Sequence, residues 1–399
     1  ASSSANLSFA NNVSLGASTR TLTLGNNGTH TFSGVISNTS GGITFAANSG
    51  VTGRFEITNI ANTFTGTINI NGGEVRFTAD GSMGNAANDI VIDGGRFGKA
   101  SDAVTVTLGA SRDIQIGDGA GTSISSPGTG TLVYNNAITD KTGETGSWAK
   151  QGGGVLELGG ASTYTGNTSI NNGILRLTTG NDRLPVTTVL YLGQASSANL
   201  GTLDLNGRNQ TIAGLNSVSG TNATASNNTI TSSTSATLTI TGAGDYGDGS
   251  NANSGVITGS ISLVKSGTGT LTLADENTFT GATTVSGGTL RLNRAGGTTI
   301  PATNNVTVSG GTLRISSNQA LNNLTINAGG DLVVDSGVTL TINGALTLNE
   351  SVTIAGNLTI GATGNAEIAA GKALTVSGTL TNSGTLTIKS DATGTGSLI

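Results

Sequence analysis

Residues 323–360 read NLTINAGGDLVVDSGVTLTINGALTLNESVTIAGNLTI. Triplets with apolar first and third residues and, with one exception, a central Thr recur here; they begin at Leu324, Leu332, Leu340, Leu346, Val352 and Leu358. Because side chains alternate between the two faces of a strand, each triplet puts two apolar side chains on one face and its central side chain on the other. The gaps are rich in Asn, Gly, Ser and Ala, a composition that suits corners between short strands.

Two folds built from short strands compete for this pattern. A meander of hairpins has strands of about five or six residues joined by two-residue turns. Three-residue strands with frequent corners favour instead an all-β fold, a single-stranded parallel β-helix (β-solenoid), in which each strand pairs with the strand one turn away. Three strands make a turn of about 20 residues, so we predict about 20 turns. We expect one continuous solenoid over 1–399, with a regular short-strand region at 300–399 and a loop-rich insertion at 216–254.

The composition excludes several classes of protein. Of the 399 residues, 64 are Gly and only 10% are charged, so the residues that cover helix surfaces are scarce and a helical protein is not expected. A net charge of −5 and 3% aromatic residues do not suit a nucleic-acid partner. The absence of Cys excludes disulfide scaffolds, thiolate zinc sites and cysteine nucleophiles. Since no stretch approaches about 20 apolar residues, we expect no membrane-spanning segment.

One pattern occurs three times, at 53–77, 154–177 and 269–292. Each copy contains Thr-aromatic-Thr-Gly, followed by a Gly that precedes x-apolar-Arg-apolar. The Gly that ends the first element and the Arg of the second lie ten residues apart in every copy. We interpret the shared residues as structural motif residues; they are Thr63, Phe64, Gly66 and Arg76, then Thr163, Tyr164, Gly166 and Arg176, then Thr278, Phe279, Gly281 and Arg291.

A lysine, Lys150 or Lys265, precedes the second and third copies. With this Lys, the pattern resembles the passenger-associated (autotransporter-associated) β-strand repeat of bacterial autotransporter passengers and other large secreted β-solenoid adhesins. The first copy departs from the pattern, with Ser49 where the Lys would fall. The resemblance implies a right-handed parallel β-helix, secreted to the outer surface of a Gram-negative cell, and no catalytic residue. The segment 384–399 is similar to the end of the solenoid in large surface proteins of Bacteroidota, and the start at Ala1 suits a mature N-terminus.

Few side chains are candidates for catalysis or sugar binding. The one histidine, His30, has no nucleophile or carboxylate marked beside it in sequence, so we expect a solvated strand position rather than a catalytic residue. Trp148, Tyr134 and Tyr164 are candidates for a sugar-stacking platform, although the shared aromatic position of the motif favours core packing for Tyr164. We therefore expect no catalytic residue, no cofactor and no cofactor-binding site.

The charged residues suggest two further sites. Asp245 and Asp248, in a polar loop, are a candidate calcium site; they lack the spacing of known calcium loops, and an ordinary turn is the competing interpretation, so we expect no metal. The motif arginines and Arg314 alternate with apolar neighbours and therefore point outward. On one common face they would bind anionic glycan or phosphate, and otherwise they form a solvated face.

These observations leave three functions. The first is structural: a rod-like extracellular solenoid at the cell surface, or the subunit of a filament that assembles with itself end to end through exposed strand edges. The second is an adhesin passenger that binds a host or environmental glycan or protein through surface loops. The third is a polysaccharide-active enzyme, which needs a groove with paired carboxylates, whereas the acidic residues are isolated in sequence. We favour the first function and predict that the chain is not an enzyme.

Overall fold

Short strands joined by corners form most of the structure. The computed structural model describes residues 5–100, 104–194, 199–217, 228–247, 255–391 and 394–399. As far as Asp204 the strands are β1 Leu7–Phe9, β2 Val13–Ser14, β3 Arg20–Leu24, β4 Thr29–Phe32, β5 Ile36–Ser37, β6 Ile43–Ala47, β7 Arg54–Ile57, β8 Ile68–Ile70, β9 Glu74–Phe77, β10 Ile90–Ile92, β11 Arg96–Lys99, β12 Val106–Thr107, β13 Ile114–Ile116, β14 Ser123–Ser125, β15 Thr131–Tyr134, β16 Ile138–Asp140, β17 Trp148–Gln151, β18 Val155–Leu158, β19 Thr168–Ile170, β20 Gly173–Leu177, β21 Val189–Leu192 and β22 Gly201–Asp204. Within the described ranges the only helix is a 3₁₀ helix, Asp80–Met83.

The later strands are of the same kind. They are β23 Gln210–Ile212, β24 Gly214–Ser217, β25 Thr229–Thr231, β26 Ala236–Ile240, β27 Val256–Ile257, β28 Ile261–Lys265, β29 Thr270–Leu273, β30 Thr283–Val285, β31 Thr289–Leu292, β32 Asn305–Val308, β33 Thr312–Ile315, β34 Gln319–Leu321, β35 Asn323–Ile326, β36 Asp331–Val334, β37 Thr339–Ile342, β38 Ala345–Leu348, β39 Val352–Ile354, β40 Asn357–Ile360, β41 Asn365–Ile368, β42 Ala373–Val376, β43 Leu380–Asn382, β44 Thr385–Ile388, β45 Ser390–Asp391, β46 Gly394–Thr395 and β47 Ser397–Leu398.

Each strand pairs in parallel with a strand one turn away rather than with its neighbour in sequence. Ile43 of β6 lies in register with Ile68 of β8, which in turn lies in register with Ile90 of β10. Among the described strands the exception is the antiparallel pair of β45 and β46. The predicted all-β parallel β-solenoid is therefore confirmed, while its right hand stays a prediction.

The contacts divide the chain into two compact units, of which unit 1 comprises Ala1–Tyr191 and Asn199–Asp204. Three parallel sheets, here called faces, and the two-stranded parallel sheet of β2 and β5 build unit 1. Face 1 runs through β1, β4, β7, β9, β11, β14, β17 and β19; face 2 through β3, β6, β8, β10, β13 and β16; and face 3 through β12, β15, β18, β20 and β22. Inward side chains form the core: on β7, Phe55 and Ile57 are buried while Arg54 and Glu56 point outward.

Unit 2 comprises Leu192–Ala198 and Leu205–Ile399. Its largest sheet has the order β23-β26-β28-β30-β32-β35-β38-β41-β44. The other sheets that lie wholly within unit 2 are β29-β31-β33-β36, β34-β37-β40-β43, β39-β42-β47 and the antiparallel pair β45-β46. Part of the predicted insertion at 216–254, namely 218–227 and 248–254, lies outside the described residues. One continuous solenoid over 1–399 stays a prediction.

The solenoid has about 16 turns rather than the predicted 20. In the region 300–399 the predicted turn length is right, since Ala345 lies in register with Asn365, 20 residues later. Earlier turns are longer: Thr29 lies in register with Arg54, 25 residues later. The additional residues of these longer turns lie in the corners between strands. The predicted number of turns was too high because it was based on the triplet spacing of the C-terminal region, where the corners are short.

Glycine at one motif position allows adjacent turns to approach closely. Gly73, Gly173 and Gly288, each at the start of the Arg-containing strand, have φ values of 68°, 72° and 57°. This left-handed conformation is one that Gly adopts at little cost. A Cβ on Gly173 would also lie 2.5 Å from the carbonyl oxygen of Gly152 in the turn before. The motif Gly is therefore required both by backbone conformation and by the spacing between turns.

Candidate functional site

The Thr-aromatic-Thr-Gly segment forms a corner that packs into the solenoid. The side chains of Phe64, Tyr164 and Phe279 are fully buried. Two residues before each ring, a polar side chain accepts a hydrogen bond from a backbone N–H of the preceding turn. The accepting residues and their donors are Asn62 with Ile36 at 2.7 Å, Ser162 with Ile138 at 3.2 Å, and Asn277 with Ile257 at 2.8 Å. These contacts join successive turns and expose no reactive group.

The hydroxyl of Tyr164 distinguishes the second copy from the other two. Its oxygen lies 2.5 Å from Thr168 Oγ1, and burial raises the pKa of this phenol. In the third copy Phe279 has no hydroxyl, and the equivalent Thr283 Oγ1 is buried without a hydrogen-bond partner among the described residues. In the first copy the equivalent of Thr168 is Ile68, which needs no partner.

The lysines that precede the second and third copies are buried, a placement that the repeat pattern did not predict. Lys150 Nζ donates to the backbone carbonyls of Gly152, of Gly154 at 2.6 Å and of Asn172 at 2.8 Å. Burial and the positive charge of Lys99 lower the pKa of Lys150 to about 7. Lys150 therefore satisfies carbonyl groups at a corner where glycines leave room for its amine.

Lys265 occupies the equivalent position in the third copy. Its Nζ donates to the carbonyls of Gly267 and Gly287, and burial lowers its pKa. In the first copy Phe45 takes the place of this lysine. Phe45 is paired in register with Ile70, just as Lys265 is paired in register with Val285, the equivalent residue of the third copy. The placement of Ser49 there was therefore wrong, since the turn of the first copy is longer.

The motif arginines point outward as predicted but do not share one face. Arg76 lies on β9 of face 1, Arg176 lies on β20 of face 3, and Arg291 and Arg314 are adjacent in a sheet of unit 2. Arg176 is paired with Asp204 at 2.8 Å, and Arg314 with Asp335 at 3.1 Å. A common anion site for all four arginines is excluded by this arrangement.

A different set of arginines converges on face 1. Arg54, Arg76 and Arg96 lie on the consecutive strands β7, β9 and β11, around the nine-tenths buried Glu74. Their nitrogens lie 4.0, 3.1 and 3.9 Å from its carboxylate, and Arg54 also lies 3.4 Å from Glu56. We call these five residues the Arg54–Arg96 cluster. With three guanidinium groups and two carboxylates, it has a net positive charge in a chain of net charge −5.

Three carboxylates also converge at a corner beside face 2. Oxygens of Asp93, Asp118 and Glu144 lie within 4.8 Å of one another. Lys141 Nζ contacts both Glu144 and Asp93, the latter at 2.5 Å. The hydrogen bond from Lys141 lowers the pKa of Asp93 and that of Glu144. A general acid needs a raised pKa, a condition that neither Asp93 nor Glu144 meets.

Arg112 is a fully buried charge that the sequence did not reveal. Its Nε donates to Asp80 Oδ1 at 3.0 Å and its Nη1 to the carbonyl of Asn88 at 2.9 Å. Burial raises the pKa of Asp80, but hydrogen bonds from Arg112 and the backbone of Gly109 outweigh it and hold this pKa below its usual value. The ion pair anchors the 3₁₀ helix to the next turn.

His30 and Asp245, the remaining candidates that the structure describes, make structural contacts. His30 is buried rather than solvated, because its strand points it inward; its Nε2 lies 3.2 Å from Asn26 Oδ1. Asp245 Oδ1 accepts a hydrogen bond from the backbone of Thr270 at 2.8 Å, which gives that carboxylate a structural contact, and Asp248 lies outside the described residues.

The aromatic candidates for sugar stacking lie in the core. Trp148 and Tyr134 are 2% and 1% exposed, and Tyr164 is fully buried. The rings of Trp148 and Tyr164 meet edge to face with centroids 6.1 Å apart. None of the three presents a ring to solvent, so they form no stacking platform.

Comparisons with known proteins agree with this geometry. The family model described as passenger-associated-transport-repeat matches residues 52–77, 149–177 and 263–292. These segments are the three copies of the motif, and the predicted resemblance is confirmed: the chain carries this autotransporter repeat on a parallel β-solenoid. The matches at 149 and 263 begin just before the two buried lysines.

Among curated proteins, the chain is similar to "Adhesin BmaC autotransporter" of Brucella suis biovar 1 (strain 1330). The two are 31% identical over 221 residues, which is 55% of this chain and 6% of the relative. The chain thus spans a small part of the relative's length. No solved structure matches the chain significantly. In the part of the chain that the structure describes, no helix is long and apolar enough to cross a membrane.

Proposed function

We propose that this chain is part of the passenger of an autotransporter-type adhesin, secreted to the outer surface of a Gram-negative bacterium. The observation that carries this proposal is the presence of three passenger-associated-transport repeats on a parallel β-solenoid. The likeness to an autotransporter adhesin supports it. The role that we propose is one of binding rather than catalysis, as the name of that relative suggests.

The architecture suits such a role physically. In a solenoid each turn contacts only its neighbours, so the fold extends by addition of turns and presents long faces to its surroundings. Outward positions carry small polar side chains. On β37, for example, the outward Thr339 and Thr341 alternate with the buried Leu340 and Ile342. Such faces resist nonspecific sticking and leave binding to local clusters or loops.

Surface location is tested by proteolysis of intact cells of the source bacterium. We expect a protease that does not enter cells to release peptides of this chain, while a periplasmic marker protein stays uncleaved. Peptides that are released only after lysis would contradict the proposal.

Adhesion is tested with the purified 399-residue chain. We expect immobilised chain to retain host cells or environmental glycans above a blank surface, and soluble chain to compete with whole bacteria for the same ligand. Two results together would contradict an adhesive role. Bacteria would adhere equally well with and without soluble chain, and the immobilised chain would retain neither host cells nor glycans.

Self-association is a second candidate function. It would use exposed apolar side chains, of which Leu7 and Phe9 on β1 and Ile388 on β44 are 52%, 40% and 41% exposed. Exposed apolar patches favour association. Negative-stain electron microscopy over a concentration series tests this; we expect fibres of uniform width, and isolated particles at every concentration would contradict it.

A further inference from the structure

We infer that the Arg54–Arg96 cluster on face 1 binds an anionic residue of an acidic glycan, through a carboxylate or sulfate group. This inference rests on the proposed adhesive function and names its ligand class. The inference is supported by the charge balance of the cluster, the groove beside it and the exposure of two of its arginines.

The cluster differs from the other ion pairs in its charge balance. Arg176 lies between two carboxylates, Glu157 and Asp204, and Lys141 also contacts two. In both of those sites the negative charge exceeds the positive charge. In the Arg54–Arg96 cluster three guanidinium groups share Glu56 and Glu74, so one positive charge is not neutralised and an anion is the complementary ligand.

A groove of about 190 Å³ gives access to this charge, with Glu74 and Arg96 in its wall. Its lining includes Gly94 and Gly121, whose φ values of 91° favour glycine, so part of the groove is bare backbone. The volume is below that of a pocket for a drug-sized ligand. The groove therefore fits one residue of a longer chain that lies along the solenoid.

The cluster also has guanidinium groups that remain open to a ligand. The side chains of Arg54 and Arg96 are 36% and 42% exposed. Glu74 Oε1 and Arg76 Nε, 3.1 Å apart, are buried and lie beneath them. A sugar acid suits the exposed guanidinium groups, because its anionic group accepts hydrogen bonds from guanidinium.

Binding of defined oligosaccharides to the full chain tests the inference. The probes are oligogalacturonate, which carries carboxylates, a heparin-derived oligosaccharide, which carries sulfates, and neutral dextran of similar length. We expect one or both acidic probes to bind and dextran not to bind, with affinity falling as salt rises from about 50 to about 200 mM because the contacts are ionic. Equal binding of dextran, or no binding of either acidic probe, would overturn the inference.

Two variants locate the site. Arg54→Gln with Arg96→Gln removes the exposed charges, and Thr52→Trp fills the groove, which Thr52 lines, without changing charge. We expect each to weaken binding of the acidic probe at least tenfold while leaving the unfolding midpoint within error of the wild type. Arg314→Gln, an outward arginine in unit 2, is the matched control and is expected to change affinity less than twofold.

The outcomes separate this site from the proposed function. Adhesion by the chain that survives both variants would overturn the glycan site and leave the adhesin proposal standing. Binding of polyglutamate as tightly as the acidic sugar would show a site for any polyanion, which also overturns the inference. In a third outcome, the purified chain binds the acidic oligosaccharide, but protease cleaves the chain only after the bacteria are lysed. This outcome would uphold the glycan site and overturn the surface location.

Discussion

At the scale of single residues, equivalent positions of the motif copies differ in whether a buried hydroxyl has a partner. Thr168 bonds to Tyr164, whereas Thr283 lies four residues after Phe279 and has no partner among the described residues. A buried polar atom without a hydrogen bond costs about 1–3 kcal/mol. The third copy therefore contains an unsatisfied buried hydroxyl, and one added oxygen atom would supply its hydrogen-bond partner.

Phe279→Tyr is expected to stabilise the chain by about 1 kcal/mol, because the new hydroxyl supplies Thr283 with the bond that Tyr164 makes to Thr168. The matched control is Phe64→Tyr, where the facing residue is Ile68; there the buried hydroxyl gains no such partner and we expect destabilisation of about 1–3 kcal/mol. Chemical denaturation followed by circular dichroism measures both. The same sign of change in the two variants would contradict this account.

Lys150 gives a pH dependence of stability. Its pKa is lowered to about 7 in the folded chain, so between pH 7 and about 10 the folded state binds fewer protons than the unfolded state. The contribution of Lys150 to the free energy of unfolding therefore increases with rising pH in this window, by up to about 1.4 kcal/mol per pH unit, and is constant below it.

Comparison of wild type with Lys150→Met isolates this effect. We expect the free energy of unfolding of the wild type relative to the variant to rise between pH 7 and 10. A flat difference for Lys150→Met would show that its carbonyl partners keep the amine charged.

At the scale of elements, strand position depends on corners with fixed geometry. Gly173→Ala is expected to destabilise the chain by more than about 2 kcal/mol, because alanine is strained at a φ of 72° and its Cβ would lie 2.5 Å from the carbonyl of Gly152. Gly143 is the control: its φ is 83°, but a Cβ at this position would have no atom within 4 Å, so only the conformational cost of about 1–2 kcal/mol is expected. Equal destabilisation by alanine at Gly173 and at Gly143 would mean that the close contact between turns at Gly173 adds nothing to the cost of the substitution.

The 3₁₀ helix Asp80–Met83 is held by the ion pair of Asp80 and Arg112. The pKa of Asp80 is lowered on folding, so the pair stabilises the chain above the unfolded pKa of about 3.9 and the contribution is lost as pH falls through the lower folded value. We expect the stability difference between wild type and Asp80→Asn to shrink as pH falls from 5 to 2.

At the scale of the whole molecule, a solenoid distributes stability among neighbouring turns. Arg112→Met leaves Asp80 without its partner, and we expect faster amide hydrogen exchange in the adjacent strands β10 and β16. Within unit 1, protection of the more distant β4 is expected to change less. A uniform increase across unit 1 would contradict nearest-neighbour behaviour and show a single cooperative unit.

The sequence by itself determined the fold class and the repeat. Alternation within triplets such as Leu340-Thr341-Ile342 is a local property of a strand, so burial of Leu340 and Ile342 followed from spacing alone. The three motif copies were recognisable because their aromatic, Gly and Arg positions keep a constant spacing.

Only the tertiary structure decided which residues meet between turns. Arg112 lies 32 residues after Asp80, and Glu74 meets arginines of the turns before and after it. These distances depend on corner lengths, which vary from turn to turn and leave no periodic signal in the sequence. For the same physical reason Arg76 and Arg176, identical in the motif, lie on different faces: stacking register, not position in the repeat, assigns each strand to a sheet.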